Sequence, residues 1–111
     1  NEENVVTLKK NKDAAAKAAL EHWGQVAQAA KTAEELSELA ALMARIVTNV
    51  IVGRNELSEQ LGPDFYNELA DVKLMLACVE QFEEFDTEAY CEAVKRKTAQ
   101  LFARIAHEAK N

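Results

Sequence analysis

Five carboxylates in this chain are spaced for joint chemistry. Glu34, Glu35 and Glu38 read E-E-x-x-E, and Glu68 and Asp71 read E-x-x-D. On a helix, residues three and four apart share a face, so Glu38 stands beside both earlier acids and Glu68 beside Asp71. Continued by helical steps, the second stripe runs from Glu68 and Asp71 to Met75 and Cys78, turning apolar within a turn. A stripe of that kind faces another helix. Carboxylates on it are crowded, partly desolvated and mutually repulsive, which calls for a compensating cation. Mg2+ suits them, being hard, oxygen-liganded and content to keep several waters, with Mn2+ as the second candidate. Two helices that each offer such a pair can hold one or two ions between them. The di-iron form of that architecture needs E-x-x-H, and neither His22 nor His107 follows a Glu by three residues. The plainer reading of the first motif is that Glu34 and Glu35 favour a helix start through the dipole, with Glu35 closing a T-x-x-E capping box on Thr32.

The elements that must carry these acids are helices. Residues 1–12 are polar with a brief apolar touch at Val5, Val6 and Leu8, and read as a loosely held arm ahead of a single domain over 13–111. Asp13 is placed to cap a first helix from Ala14 to about Trp23, and Gly24 to end it. A second helix covers Glu34 to about Val52, starting either at Thr32 or as far back as Gln25. Its apolar positions Leu36, Leu39, Ala40, Met43 and Val47 recur at spacings of three and four. Gly53 to Pro63 is a polar connection holding one short turn near Glu56 to Leu61. Pro63 and Asp64 start a third helix to about Glu84, with Phe65, Leu69, Val72, Leu76 and Val79 as its core stripe. Asp86 or Thr87 caps a last helix from Glu88 to about Ala109, striped by Ala89, Ala93, Thr98, Leu101 and Ile105 and flanked by Tyr90 and Phe102. The expected fold is all-α, an antiparallel bundle of three long helices and a shorter first one.

Composition agrees. Of 111 residues, 49% are hydrophobic but only 6% aromatic, with three glycines and one proline. This argues against an all-β chain, which needs frequent turn residues, and against disorder. A net charge of −6 does not attract nucleic acid or an anionic membrane over the general surface. No apolar run approaches the roughly 18 residues of a membrane span. Cys78 and Cys91 match no zinc or redox spacing, and Cys78 reads as core. Cysteines expected to stay reduced, with no signal-peptide pattern, lead to the expectation of a cytoplasmic protein. The three glycines are not spaced for a phosphate cradle, and no Ser-His-Asp set competes.

The acid motifs resemble the signature of the MazG-like, all-α nucleoside triphosphate pyrophosphohydrolases. That signature is E-E-x-x-E, a connection, then E-x-x-D, here Glu34-Glu35-Leu36-Ser37-Glu38 and Glu68-Leu69-Ala70-Asp71. The stretch WGQVAQAAKTAEELSELAALMARI is similar to the family's first-motif region, and NELADVKLML to its second; the likeness covers roughly residues 23–104. It implies Mg2+-dependent hydrolysis of an NTP to NMP and pyrophosphate. By matching position, Glu35, Glu38, Glu68 and Asp71 would be metal ligands, with Glu34 a further ligand or a group that orients the attacking water. Lys97 and Arg104, seven apart on one face of the last helix, would reach the phosphates, with Lys95 and Arg96 as lesser matches. Trp23 and Gln28 would meet the nucleotide. The connection between the motifs, residues 39–67, is at the long end for the family, so that Gly53 to Pro63 reads as a local insertion.

Leu36, Leu42, Ile46, Val50 and Ile51 reach round much of the second helix, and a helix apolar over a wide arc is covered on two sides. The expectation is a homodimer or a dimer of dimers, as the resemblance also implies. The alternative is a non-catalytic dimeric helical module that binds a nucleotide or a protein partner, with the acids as surface charges. Two enzymatic variants are the related phosphoribosyl-ATP pyrophosphohydrolases, less similar after Asp71, and a dUTP- or dCTP-specific enzyme.

Overall fold

The computed structural model describes residues 2–110, and side chains from residue 4. These residues form five helices and no strand: α1 (Glu2–Trp23), α2 (Gln25–Ile51), α3 (Leu57–Gln60), α4 (Pro63–Val79) and α5 (Thr87–Lys110).

The sequence punctuation acts where expected. Gly24, at φ 87°, breaks α1 from α2 in a backbone conformation that costs a residue without Cβ little. Pro63 occupies the first turn of α4, where its missing N–H is no loss. Asp86 caps α5, its carboxylate accepting the Ala89 N–H at 3.0 Å. The short turn forms as α3, with Glu56 and Glu59 in a reciprocal capping box.

Two expectations are corrected, and one open alternative is decided. Residues 2–12, read as a loose arm, are helical and continuous with the first helix, so Asp13 lies inside α1 and caps nothing. With no Gly or Pro in residues 2–12, the helix propagates backwards from the Ala-rich run after Asp13, and Lys9 and Asp13 pair at 3.2 Å across one turn. Asn1, the rest of that arm, lies outside the described residues. Of the two starts open for the second helix, α2 takes the earlier, Gln25; the Thr32 hydroxyl donates back to the Gln28 carbonyl at 2.7 Å, as an interior residue does. α4 stops at Val79 and not near Glu84. The chain beyond it is clasped from outside: Gln25 Nε2 donates to the Glu84 carboxylate at 2.8 Å, the Glu83 N–H donates to Gln25 Oε1, and Gln81 Nε2 donates to the Asp13 carbonyl at 2.9 Å.

α4 is the central element, packed along α2 on one side and α1 on the other. α2 and α4 run antiparallel, with Glu35 opposite Glu68 and Asp71, and Arg45 sharing a groove with Asp64. α5 packs along none of the others. The radius of gyration, 17.4 Å, accordingly exceeds the roughly 13 Å of a compact chain of this length.

The buried apolar residues are Ala16, Ile46, Val72, Ala77 and Cys78. Ala16, Ala77 and Cys78 form a small-residue contact between α1 and α4, flanked by Ala19, Leu20 and Met75, with the Cys78 thiol 3.7 Å from the Ala16 carbonyl. Cys78 is therefore core, as its stripe predicts, and burial pushes its thiol pKa up. The α4 stripe holds at Phe65, Leu69, Val72 and Val79, while Leu76 is exposed. The other two stripes behave differently. On α2, Leu39 is half-buried but Leu36, Ala40, Met43 and Val47 are exposed. On α5, Ala93 is half-buried and Tyr90, Leu101, Phe102 and Ile105 are exposed, Phe102 to 69%. The helical period is right in both, but the single chain supplies no surface to cover these faces.

Candidate metal centre

The site is built where α2 crosses α4. Among the described residues, two groups of carboxylates come together: Glu34, Glu35 and Glu38 along α2, and Glu35, Glu68 and Asp71 across the helix pair. Within each group the oxygens that could act as ligands lie within 4.8 Å of one another. Glu35 belongs to both and is their shared corner. All five acids of the two motifs thus converge.

Their environments differ. Glu35 is buried, at 6% exposure, Glu68 is half-buried, and Glu34, Glu38 and Asp71 are exposed. Glu35 Oε1 pairs with the Lys31 ammonium at 3.1 Å, and the same ammonium lies 3.6 Å from Glu34. Glu35 Oε2 and Glu68 Oε2 are buried and have no hydrogen-bond partner. An unpartnered buried carboxylate oxygen is costly, since desolvation is not repaid by any donor. Such oxygens, on two helices that each bring a second acid, suit a hard divalent ion bound by carboxylates and water.

The position of these acids removes the helix-start reading of the first motif. Glu34 and Glu35 lie well inside α2, which starts at Gln25, so neither a capping box nor an N-terminal dipole accounts for them. The field between them is visible in Glu38, whose carboxyl is held above the usual carboxylate range, chiefly by the negative charge of Glu35, then by desolvation and by Glu68 and Glu34. Lys31 responds in the opposite sense. Its hydrogen bond to Glu35 and the charges of Glu34 and Glu35 push its pKa up.

A groove of about 470 Å³ opens beside the acids, lined by Glu38, Ala41, Leu42, Arg45, Asp64, Asn67 and Glu68. Lys31, Arg45, Asp64 and Asn67 were not singled out by motif. Helical spacing carried the signal: Lys31 is one turn before Glu35, Arg45 two turns after Glu38, and Asp64 one turn before Glu68.

The remaining candidates are not gathered in. Gln28 is buried, at 5% exposure, two turns before Glu35 on the same face, with its Oε1 unpartnered. Trp23 is exposed at the end of α1, with its ring edge-on to His22. Lys97 and Arg104 are exposed on α5, the helix that does not pack along α2 or α4, and Arg104 pairs with Glu108 at 3.1 Å. Lys95 pairs with Glu92 at 3.5 Å, and Arg96 is exposed. Within one chain, no basic residue of α5 joins the acid centre.

Among the described residues no helix is long and apolar enough to cross a membrane. Comparison of the chain with protein-family models, with curated proteins and with solved structures gives no match.

Proposed function

We propose that this protein is a Mg2+-dependent nucleoside triphosphate pyrophosphohydrolase of MazG-like type, cleaving a (d)NTP to (d)NMP and pyrophosphate in nucleotide-pool housekeeping. One observation carries the proposal. The acids of E-E-x-x-E and E-x-x-D meet across α2 and α4 around two buried carboxylate oxygens that nothing else satisfies.

Glu35, Glu38, Glu68 and Asp71 would hold the metal. Bound there, Mg2+ would neutralise substrate phosphates and lower the pKa of a coordinated water. Phosphoryl transfer asks mainly for positioning and charge neutralisation, so a protein that contributes carboxylates and cations is suited to it. Glu34, exposed beside the other acids, would orient a water and accept its proton. The groove past Glu38 and Glu68 gives the substrate a place to lie.

The exposed apolar stripes of α2 and α5 support a homodimer or a dimer of dimers. Assembly is also the route by which Lys97 and Arg104 would reach a phosphate, since α5 stands away from its own acids. The same separation favours the second reading, a dimeric helical module that binds without cleaving.

The test is a panel of NTPs and dNTPs incubated with Mg2+, followed by product separation. Release of NMP and pyrophosphate, lost with chelator, is the expected result. Release of NDP and phosphate would mean that the wrong bond was assigned. No turnover of any nucleotide would favour the binding module.

A further inference from the structure

The outer carboxylate group already has a cation in it. The Lys31 ammonium lies 3.1 Å from Glu35 Oε1 and 3.6 Å from Glu34 Oε1, and these acids form one potential ligand set with Glu38. In the inner set, Glu35 with Glu68 and Asp71, neither Glu68 nor Asp71 has an ion pair among the described residues, and the other oxygen of Glu35 and one of Glu68 are buried without a partner. The two oxygens of a single side chain, 6% exposed, thus differ: the Lys31 ammonium engages Oε1, while Oε2 is buried without a partner.

We infer that Lys31 is a built-in counter-ion of the outer group, and that a divalent ion entering between Glu34, Glu35 and Glu38 must displace its ammonium. This rests on the metal reading of the site given above. An ammonium and a divalent ion compete for the same oxygens, and the metal gains by its double charge but must first break a charge-assisted hydrogen bond. In the inner set only Glu35 meets that competition, while Glu68 and Asp71 do not. The two sets therefore fill in order: the inner ion binds first, and the outer ion binds more weakly, with release of Lys31. Lys31 sits one turn from Glu35 on the same helix, so the freed ammonium stays beside the centre.

Titration calorimetry with Mg2+ alone, on the full chain, tests this in wild type, Lys31→Met and Glu35→Gln. Helical content is checked for each. Lys31→Met is expected to tighten the weaker binding event by roughly tenfold or more and leave the tighter one nearly unchanged, the size set by one close charge pair at a partly screened surface. Removing a positive charge strengthens cation binding in any case, so a second readout is needed. The side-chain 15Nζ resonance of Lys31 in wild type is expected to shift as the weaker site fills, reporting loss of its hydrogen bond. Mg2+ filling both sites with that resonance unmoved, or Lys31→Met leaving the weaker event unchanged, would overturn the inference. Glu35→Gln is expected to weaken both events. Absence of Mg2+ binding in every protein would instead overturn the metal reading itself. Neither readout needs turnover, so a chain that binds Mg2+ but cleaves no nucleotide would still decide the role of Lys31.

Discussion

Glu35 on α2 and Glu68 on α4 each leave a carboxylate oxygen buried without a hydrogen-bond partner, and with Asp71 they offer ligand atoms within 4.8 Å of one another. Two anions held so across a helix pair are unfavourable in the bare protein and favourable around a divalent cation. That single opposition generates most of what can be tested.

Glu38→Gln and Asp71→Asn keep the size and the helix-forming character of their side chains but remove a ligand charge. Each is expected to abolish Mg2+-dependent nucleotide turnover while leaving the far-UV circular dichroism unchanged. Because like charges crowd there, the metal-free melting temperature of Asp71→Asn is expected to be no lower than that of wild type. Full activity in either variant would refute the ligand assignment.

Mg2+ should stabilise the folded chain by mass action. At a concentration about 100 times Kd, one bound ion contributes roughly 2.7 kcal/mol. For a chain near this size each kcal/mol moves Tm by about 4–8 °C. A thermal melt of wild type with and without Mg2+ is expected to show a rise of that order, and one of Glu35→Gln much less.

Acid pH should act on the bare centre through Glu38. Its carboxyl is raised above the ordinary value of 4.5, mainly by the charge of Glu35, so the folded state takes up its proton more readily than the unfolded one. The stabilising contribution is then complete below 4.5 and is lost as pH rises through the raised folded value. In chelator, wild type should therefore lose Tm relative to Glu38→Gln as pH climbs across that window. Melts of the two proteins at a series of pH values check the slope.

The core of the single chain is small, so its few members matter. Ile46 and Val72, at 3% and 5% exposure, are its largest aliphatic side chains. Ile46→Ala is expected to cost about 2–5 kcal/mol. That is a large share of the roughly 5–15 kcal/mol of a typical domain. Urea denaturation of this variant and of Val72→Ala measures the loss.

Leu101, Phe102 and Ile105 lie exposed along α5, which its own chain does not cover. If self-association covers them, Phe102→Asp combined with Ile105→Asp should reduce the mass measured by light scattering to that of one chain and lower Tm. A wild-type protein already monomeric by the same measurement would refute the assembly.

Much of this molecule was written locally. Gly24, Pro63 and Asp86 divide the helices because each acts on its own backbone: a positive φ, a missing N–H, a side-chain cap. The convergence of the five acids follows from helical spacing plus an antiparallel return of α4 on α2, and both were legible. Tertiary structure decided the rest. Periodicity says which face of a helix is apolar but not what covers it, so the stripes of α2 and α5 could be read while their exposure in one chain could not. Helix ends depend on what competes for the backbone, and only the folded chain brings Gln25 to Glu83 and Glu84 beyond the end of α4. Lys31 pairs with Glu35 one turn along the same helix, which spacing contains, but burial of the other Glu35 oxygen is tertiary, because it depends on where α4 lies.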